Sequence, residues 1–225
     1  MKRILAYLTI AILLLPAASC LQAQQPAFYN EIAAFKKQDS IAPPPAGAIV
    51  FAGSSSFALW KNLSSYFPHY TVINRGFGGS SLPDVTRYAG DIIFAYRPRQ
   101  VVIYCGDNDL AASDAVTSRM VYDRFIQLYT TIRSGLKEVE ILYVSIKPSP
   151  SRERLMARME EANRMIADFL HTQAHAAFVD VYHLMLTPEG RPIEGLFGPD
   201  KLHMNEKGYL IWQKAILPYL VKDAS

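Results

Sequence analysis

The feature that most constrains this chain is a repeated alternation of short apolar runs with longer amphipathic stretches. Five short runs rich in β-branched and aromatic residues, at 48–52, 71–73, 101–105, 141–144 and 177–181, are apolar apart from Thr71 and Asp180 instead of alternating with polar residues. A strand that is apolar on both sides is covered on both sides, which is the condition of a parallel sheet. Between them, 113–134 carries Val116, Met120, Phe125, Leu128, Tyr129 and Ile132 at helical spacing and stops at Gly135. The stretch 151–174 does the same through Leu155, Met159, Ala162, Ile166 and Leu170. Residues 29–37 read as a short helix ended by Pro43-Pro44-Pro45, and 205–221 as a closing helix with Asn205 at its N-cap. Strand–helix alternation of this kind predicts an α/β fold, a three-layer sandwich with a parallel sheet in the middle.

The chain of 225 residues suits one domain, and no internal repeat, low-complexity tract or linker divides it. Half of the residues are hydrophobic and the net charge is only +3, which excludes disorder as the main state. The 23 basic residues meet 20 acidic ones with no basic run, so nucleic acid is not an expected partner. Two cysteines support neither a disulfide framework nor a four-thiolate zinc site.

The N-terminus is set apart from the domain. Met1-Lys2-Arg3 is a positive start, 4–15 is uncharged and almost wholly apolar, and Pro16-Ala17-Ala18-Ser19-Cys20 supplies small residues. This is the order of an export signal, and the apolar run is shorter than the about 20 residues a spanning helix needs. The reading is a signal peptide at 1–19, a polar tether at 20–28 and the domain at 29–225. Cys20, after Ala-Ala-Ser, stands where a bacterial lipoprotein carries its lipid, which would make the protein an envelope lipoprotein facing periplasm or exterior. A cut after Ala23 would give a secreted, unlipidated protein instead. Membrane contact is expected only through the lipid on Cys20.

Open α/β sheets place ligands beyond the carboxyl ends of their strands. Strand one runs into Gly53-Ser54-Ser55-Ser56, strand two into Asn74-Arg75-Gly76-Phe77-Gly78-Gly79-Ser80, and strand three into Gly106-Asp107-Asn108-Asp109. Asp200-Lys201-Leu202-His203 precedes the last helix. These are the parts that acyl transfer needs: a serine, an imidazole base, a carboxylate to fix the base's tautomer, and donors for an oxyanion. Asp200 and His203, three apart, can share one side of a turn. The N–H of Ser55, a glycine N–H of the second loop and the Asn108 amide are the donor candidates. From the residues alone the serine's register among 54–56 stays open, as does the choice between Gly78 and Gly79.

The four blocks resemble those of the SGNH or GDSL hydrolases over nearly the whole domain. The resemblance implies Ser55 as nucleophile, His203 as general base and Asp200 as its orienter. The Ser55 amide, Gly79 and Asn108 would form the oxyanion hole. It also implies a flavodoxin-like sheet of five parallel strands in order 2-1-3-4-5. The stretch 51–56 followed by Trp60, and the loop 74–79, most resemble the branch similar to platelet-activating-factor acetylhydrolases. In one departure, Ser54 stands where the family usually has Asp.

Other residues fit this reading less directly. His69, His171, His175 and His183 show no metal-ligand spacing with acidic or thiol side chains, although His171 and His175 would be four apart on a helix; neither metal nor cofactor is expected. Cys105 reads as a buried thiol. Phe57, Trp60, Phe77 and Leu110 flank the motif loops and would either line an acyl pocket or simply pack. Lys147, after strand four, could meet an anionic substrate group but reads better as a solvated rim lysine. No Gly-x-Ser-x-Gly elbow is present. The expected function is an exported serine esterase or lipase-type acylhydrolase acting on a small-molecule or glycan acyl ester. Two alternatives are a carbohydrate esterase removing O-acetyl groups from a glycan, and a non-catalytic envelope lipoprotein that binds a glycan or lipid.

Overall fold

The computed structural model describes residues 25–222; the signal segment, Cys20 and the start of the tether lie outside them. In chain order the elements are α1 (Tyr29–Ile41), β1 (Ile49–Gly53), α2 (Ser55–Ala58), α3 (Leu63–Tyr66), β2 (Val72–Gly76), α4 (Leu82–Arg87) and α5 (Ala89–Ile92). There follow β3 (Gln100–Tyr104), α6 (Asp107–Ala111), α7 (Ser118–Gly135), β4 (Glu140–Val144), α8 (Met156–Leu170), β5 (Ala176–Val179) and α9 (Glu206–Ile216). The five strands pair in parallel in the order β2-β1-β3-β4-β5, as the resemblance implies.

Apolar runs correspond to burial on both faces in the three inner strands β1, β3 and β4, while the edge strands β2 and β5 are only partly buried. Val50, Ala52, Val101 and Ile103 face a layer built from α1, α4, α5, α7 and α8, while Ile49, Phe51, Val102 and Tyr104 face the layer that contains α9. On the α9 side the core is aromatic: Phe57 and Trp212 meet edge to face at 6.0 Å, and Tyr104 lies 4.7 Å from Trp212. Phe57, Trp60, Phe77 and Leu110 are all at most 1% exposed. They therefore pack as core, the second of the two roles open to them, Phe57 and Trp60 on the α9 side and Phe77 and Leu110 on the opposite face of the sheet.

Helix boundaries differ from expectation where local chemistry intervenes. Thr117 caps α7 by accepting from the Met120 N–H, so the helix begins five residues later than the apolar spacing suggests. Residues 150–155 form a 3-10 turn before α8, because Pro150 starts the turn and Arg152 leaves helical geometry at φ −120°. The helix α8 then ends at Leu170, and His175 adopts the left-handed backbone region. The helical face shared by His171 and His175 is thus absent. His175 instead bonds Glu140 at 2.8 Å and lies 3.1 Å from Glu138, acidic neighbours that the sequence reading did not bring to it. Asn205 does cap α9, accepting from the N–H of Lys207 and Gly208.

Candidate active site

The register β1–β2–β3 brings three loops to one edge, since Gly53 stands level with both Gly76 and Tyr104. Gly53 is required here: a Cβ on it would sit 1.8 Å from the Tyr104 carbonyl oxygen. The chain then turns directly into α2. Ser54 is its N-cap and fully buried, Ser56 is 2% exposed, and only Ser55, at the first helical position, opens toward solvent. Having no partner one turn earlier, the N–H of such a first residue is free to face a ligand. Asn74 locks the second loop under α2, donating to the Phe57 carbonyl at 2.7 Å while accepting from the Gly76 N–H at 2.9 Å.

The Ser55 hydroxyl lies 3.0 Å from Nε2 of His203, and Nδ1 of His203 lies 2.5 Å from Oδ2 of Asp200. The other oxygen of Asp200 accepts the N–H groups of Leu202 and His203, each at 3.0 Å. Those backbone donors, together with the imidazole, hold the Asp200 carboxyl down to about 2. A carboxylate so placed keeps a proton on Nδ1 and leaves Nε2 unprotonated, able to accept the Ser55 O–H. The turn that carries the pair uses a left-handed Lys201 and closes through Gly198 N–H to the His203 carbonyl at 2.8 Å.

Gly78 and Gly79 both line the cleft beside Ser55, but only Gly79 has a positive φ, +80°, which a side chain would strain. Asn108, in the first turn of α6, points its amide into the same space. Its Nδ2 donates to the Ser80 carbonyl at 3.0 Å, and its Oδ1 accepts from Arg152 at 2.9 Å. The cleft is open, about 530 Å³, and its apolar wall is Ala58, Leu59 and Leu202, not the flanking aromatics. Every site residue named from the sequence within the domain thus meets at one place: Ser55, Gly79, Asn108, Asp200 and His203.

Three supporting roles around the cleft escaped the sequence reading, those of Lys147, Asp109 and Arg152. Lys147 is not a solvated rim lysine. It is 1% exposed, its ammonium donates to the Leu202 carbonyl at 2.8 Å and lies 5.5 Å from the Phe197 ring centre, and burial pushes it down to about 8. It thereby ties β4 to the turn of Asp200 and His203. Asp109, whose carboxyl is pushed up by burial, accepts from the Leu82 N–H at 3.0 Å and from Arg124 at 2.9 Å, joining the second and third loops to α7. Arg152 pairs with Asp107 at 2.8 Å. Among these, only Asp109 carried a signal, as the last residue of Gly-x-Asn-Asp.

A second Asp-x-x-His, Asp180 and His183, makes the same local bond at 2.6 Å, but the other ring nitrogen lies 3.7 Å from Glu160 with no serine beside it. Cys105 is buried, its thiol pushed up by desolvation. Among the described residues no group of three or more histidines, cysteines and carboxylates is arranged to hold a metal ion, and no helix is long and apolar enough to cross a membrane.

Comparison with curated proteins finds no match. Solved structures share the fold. A candidate platelet activating factor from Streptococcus pneumonia superposes with a TM-score of 0.74 at 18% identity, over 85% of this chain and 92% of that one. A GDSL-like lipase from Bacteroides thetaiotaomicron gives 0.70 at 18% identity, over 84% and 96%. An acetylxylan esterase from Geobacillus stearothermophilus gives 0.61 at 15% identity, over 80% and 96%. The pattern of the GDSL-like lipase/acylhydrolase family matches residues 39–211, a span that holds the Ser55, Gly79, Asn108, Asp200 and His203 cluster, and the chain belongs to that family.

Proposed function

We propose that the protein is a serine esterase that cleaves acyl esters through an acyl-enzyme on Ser55. The observation that carries this is the continuous chain from Ser55 through His203 to Asp200, with distances of 3.0 and 2.5 Å. In this reading Nε2 takes the proton from Ser55 as its oxygen attacks the ester carbonyl. The tetrahedral oxyanion is met by the N–H groups of Ser55 and Gly79 and by the free N–H of Asn108. His203 then returns the proton to the departing alcohol, and water repeats the sequence to release the acid.

The shallow cleft walled by Ala58, Leu59 and Leu202 suits a short acyl group and leaves the alcohol side open to solvent. That openness favours, as second reading, removal of O-acetyl groups from a glycan, the activity named for the Geobacillus esterase. A non-catalytic binding role is the weaker reading, because a binding cleft needs no serine, imidazole and carboxylate in line. The protein is proposed to work outside the cytoplasm, exported by its first 19 residues and held to the membrane by lipid on Cys20.

A fluorescent serine-directed phosphonate tests the mechanism. Wild type and the Ser54→Ala and Ser56→Ala variants should label, and Ser55→Ala should not. Labelling that survives Ser55→Ala and disappears with either neighbour would overturn the assignment. An ester panel of increasing acyl length then reads the acyl preference, with acetyl esters expected to be cleaved fastest.

A further inference from the structure

The amide of Asn108 can serve an oxyanion only if its nitrogen, not its oxygen, faces the cleft. An asparagine amide is nearly symmetric in shape, so its orientation is set by its partners' polarity. Two partners of opposite kind hold it here. The Ser80 carbonyl, which can only accept, lies 3.0 Å from Nδ2, and the Arg152 guanidinium, which can only donate, lies 2.9 Å from Oδ1. A flipped amide would set N–H against guanidinium and oxygen against carbonyl. One N–H is spent on Ser80 and the other remains for a ligand.

We infer that Arg152 is a positioning residue for the oxyanion hole, fixing and polarising the Asn108 amide from a different loop; this deepens the esterase reading and rests on it. The guanidinium is itself held in place. Its other terminal nitrogen is 2.8 Å from Asp107, the residue before Asn108, and the two side chains are 16% and 6% exposed. One guanidinium therefore meets two successive residues of the third loop, hydrogen-bonding Asn108 through one nitrogen and ion-pairing with Asp107 through the other, which a lysine with its single nitrogen cannot copy. The charged donor draws electron density toward Oδ1, which makes the remaining N–H a better donor to a developing negative charge. Arg152 reaches the site because the 3-10 turn at 150–155 brings it against α6. It also borders the cleft, so the test must distinguish positioning from direct substrate contact.

The test is a double-mutant cycle read by turnover of an aryl acetate and by the rate of phosphonate labelling at Ser55. Removing Arg152 alone leaves the buried Asp107 carboxylate unpaired, so Asp107→Asn/Arg152→Met accompanies Arg152→Met, and urea unfolding checks that each variant folds. Both should lower kcat and the labelling rate about 10- to 100-fold, below the about 100- to 1,000-fold loss from deleting an oxyanion donor, with KM within about threefold. In an Asn108→Ala background, Asp107→Asn/Arg152→Met should cost less than about twofold more, because the amide it serves is gone. Arg152→Lys should recover stability but only part of kcat. Equal losses with and without Asn108, or a raised KM at unchanged kcat, would overturn the inference while leaving the esterase reading standing. A wild-type protein that neither labels nor turns over would instead sink the esterase reading, and the inference with it.

Discussion

Lys147→Met should change the protein's stability in a way that depends on pH, and with a sign opposite to most surface lysines. The ammonium is buried, with no carboxylate in hydrogen-bond contact, and desolvation brings it from 10.5 to about 8, with Asp107 and Asp200 partly offsetting that shift and Arg152 adding to it. Between those two values the unfolded chain binds more protons than the native one, so native stability rises with pH across that window. At pH 7 the charged lysine costs the wild type about 3 kcal/mol, and at pH 10 about 1 kcal/mol, a gain of roughly 2.5 kcal/mol over three pH steps. Methionine removes that cost but strands the Leu202 carbonyl, worth about 1–3 kcal/mol. The variant should therefore be about as stable as wild type, or slightly more so, at pH 7, and fall behind it progressively toward pH 10. Tyr96 and Tyr182, both pushed up to about 12, weaken the fold above pH 10 in both proteins and cancel in the difference. Urea unfolding followed by the fluorescence of buried Trp60 and Trp212 measures the difference at each pH. A difference that stays flat within about 0.5 kcal/mol from pH 7 to 10 would refute a buried, titrating ammonium.

Three further outcomes follow from the site and the N-terminus. Asn108→Ala should lower kcat about 100- to 1,000-fold while phosphonate labelling persists at a slower rate, and wild-type turnover would remove Asn108 from the oxyanion hole. His183→Ala should keep wild-type turnover and His203→Ala should lose it, because only His203 has a serine within reach; equal losses would mean that the Asp180 and His183 pair takes part. Cys20→Ser should move the protein from the membrane fraction to the soluble exported fraction with esterase activity unchanged, and a wild type whose amino terminus is Gln24 would replace lipidation with plain secretion.

Much of the fold was legible because β1, β3, β4 and β5 are almost wholly apolar, while β2 shows only its first two residues, Val72 and Ile73, as an apolar run before Asn74 and Arg75. The motif loops were legible because they follow strands directly. Gly53, Ser55, Gly79 and Asn108 are residues whose backbone freedom or chemistry means little inside an element and much at its end. The supporting groups were not legible, for a physical reason. A lysine after a strand is ordinarily solvated, and Lys147 is buried only because Phe197 and Leu202 arrive from 50 or more residues downstream to cover it. Arg152 likewise meets its partner across 44 residues, and no local spacing signals that meeting. The direction of Phe57 depends on the phase of a single helical turn, α2, which a four-residue stretch cannot express as periodicity, and Trp60 lies just beyond that turn. Helix ends moved for a similar reason: Thr117 starts α7 by a side-chain bond that overrides the apolar spacing before it.

The two Asp-x-x-His pairs separate what a motif supplies from what the fold supplies. Asp180 with His183 and Asp200 with His203 form the same bond, at 2.6 and 2.5 Å, so the spacing alone orients the ring. What differs is the neighbour at Nε2. The pair at 180–183 directly follows β5, at the edge of the sheet, three strands away from β1, the strand that leads into Ser55. The pair at 200–203 follows the same strand by about 20 residues, and that intervening chain, returning past Met185 and Phe197 over the α9 layer, carries it back to the β1 end. Lys147 and the Ser151 N–H then hold its carbonyls at 2.8 and 3.0 Å, on a segment that leaves β4 between the two sites. The histidine that reaches Ser55 is thus selected by a long return connection and its braces. A change that loosens those braces should impair Ser55 without touching the Asp200 to His203 bond.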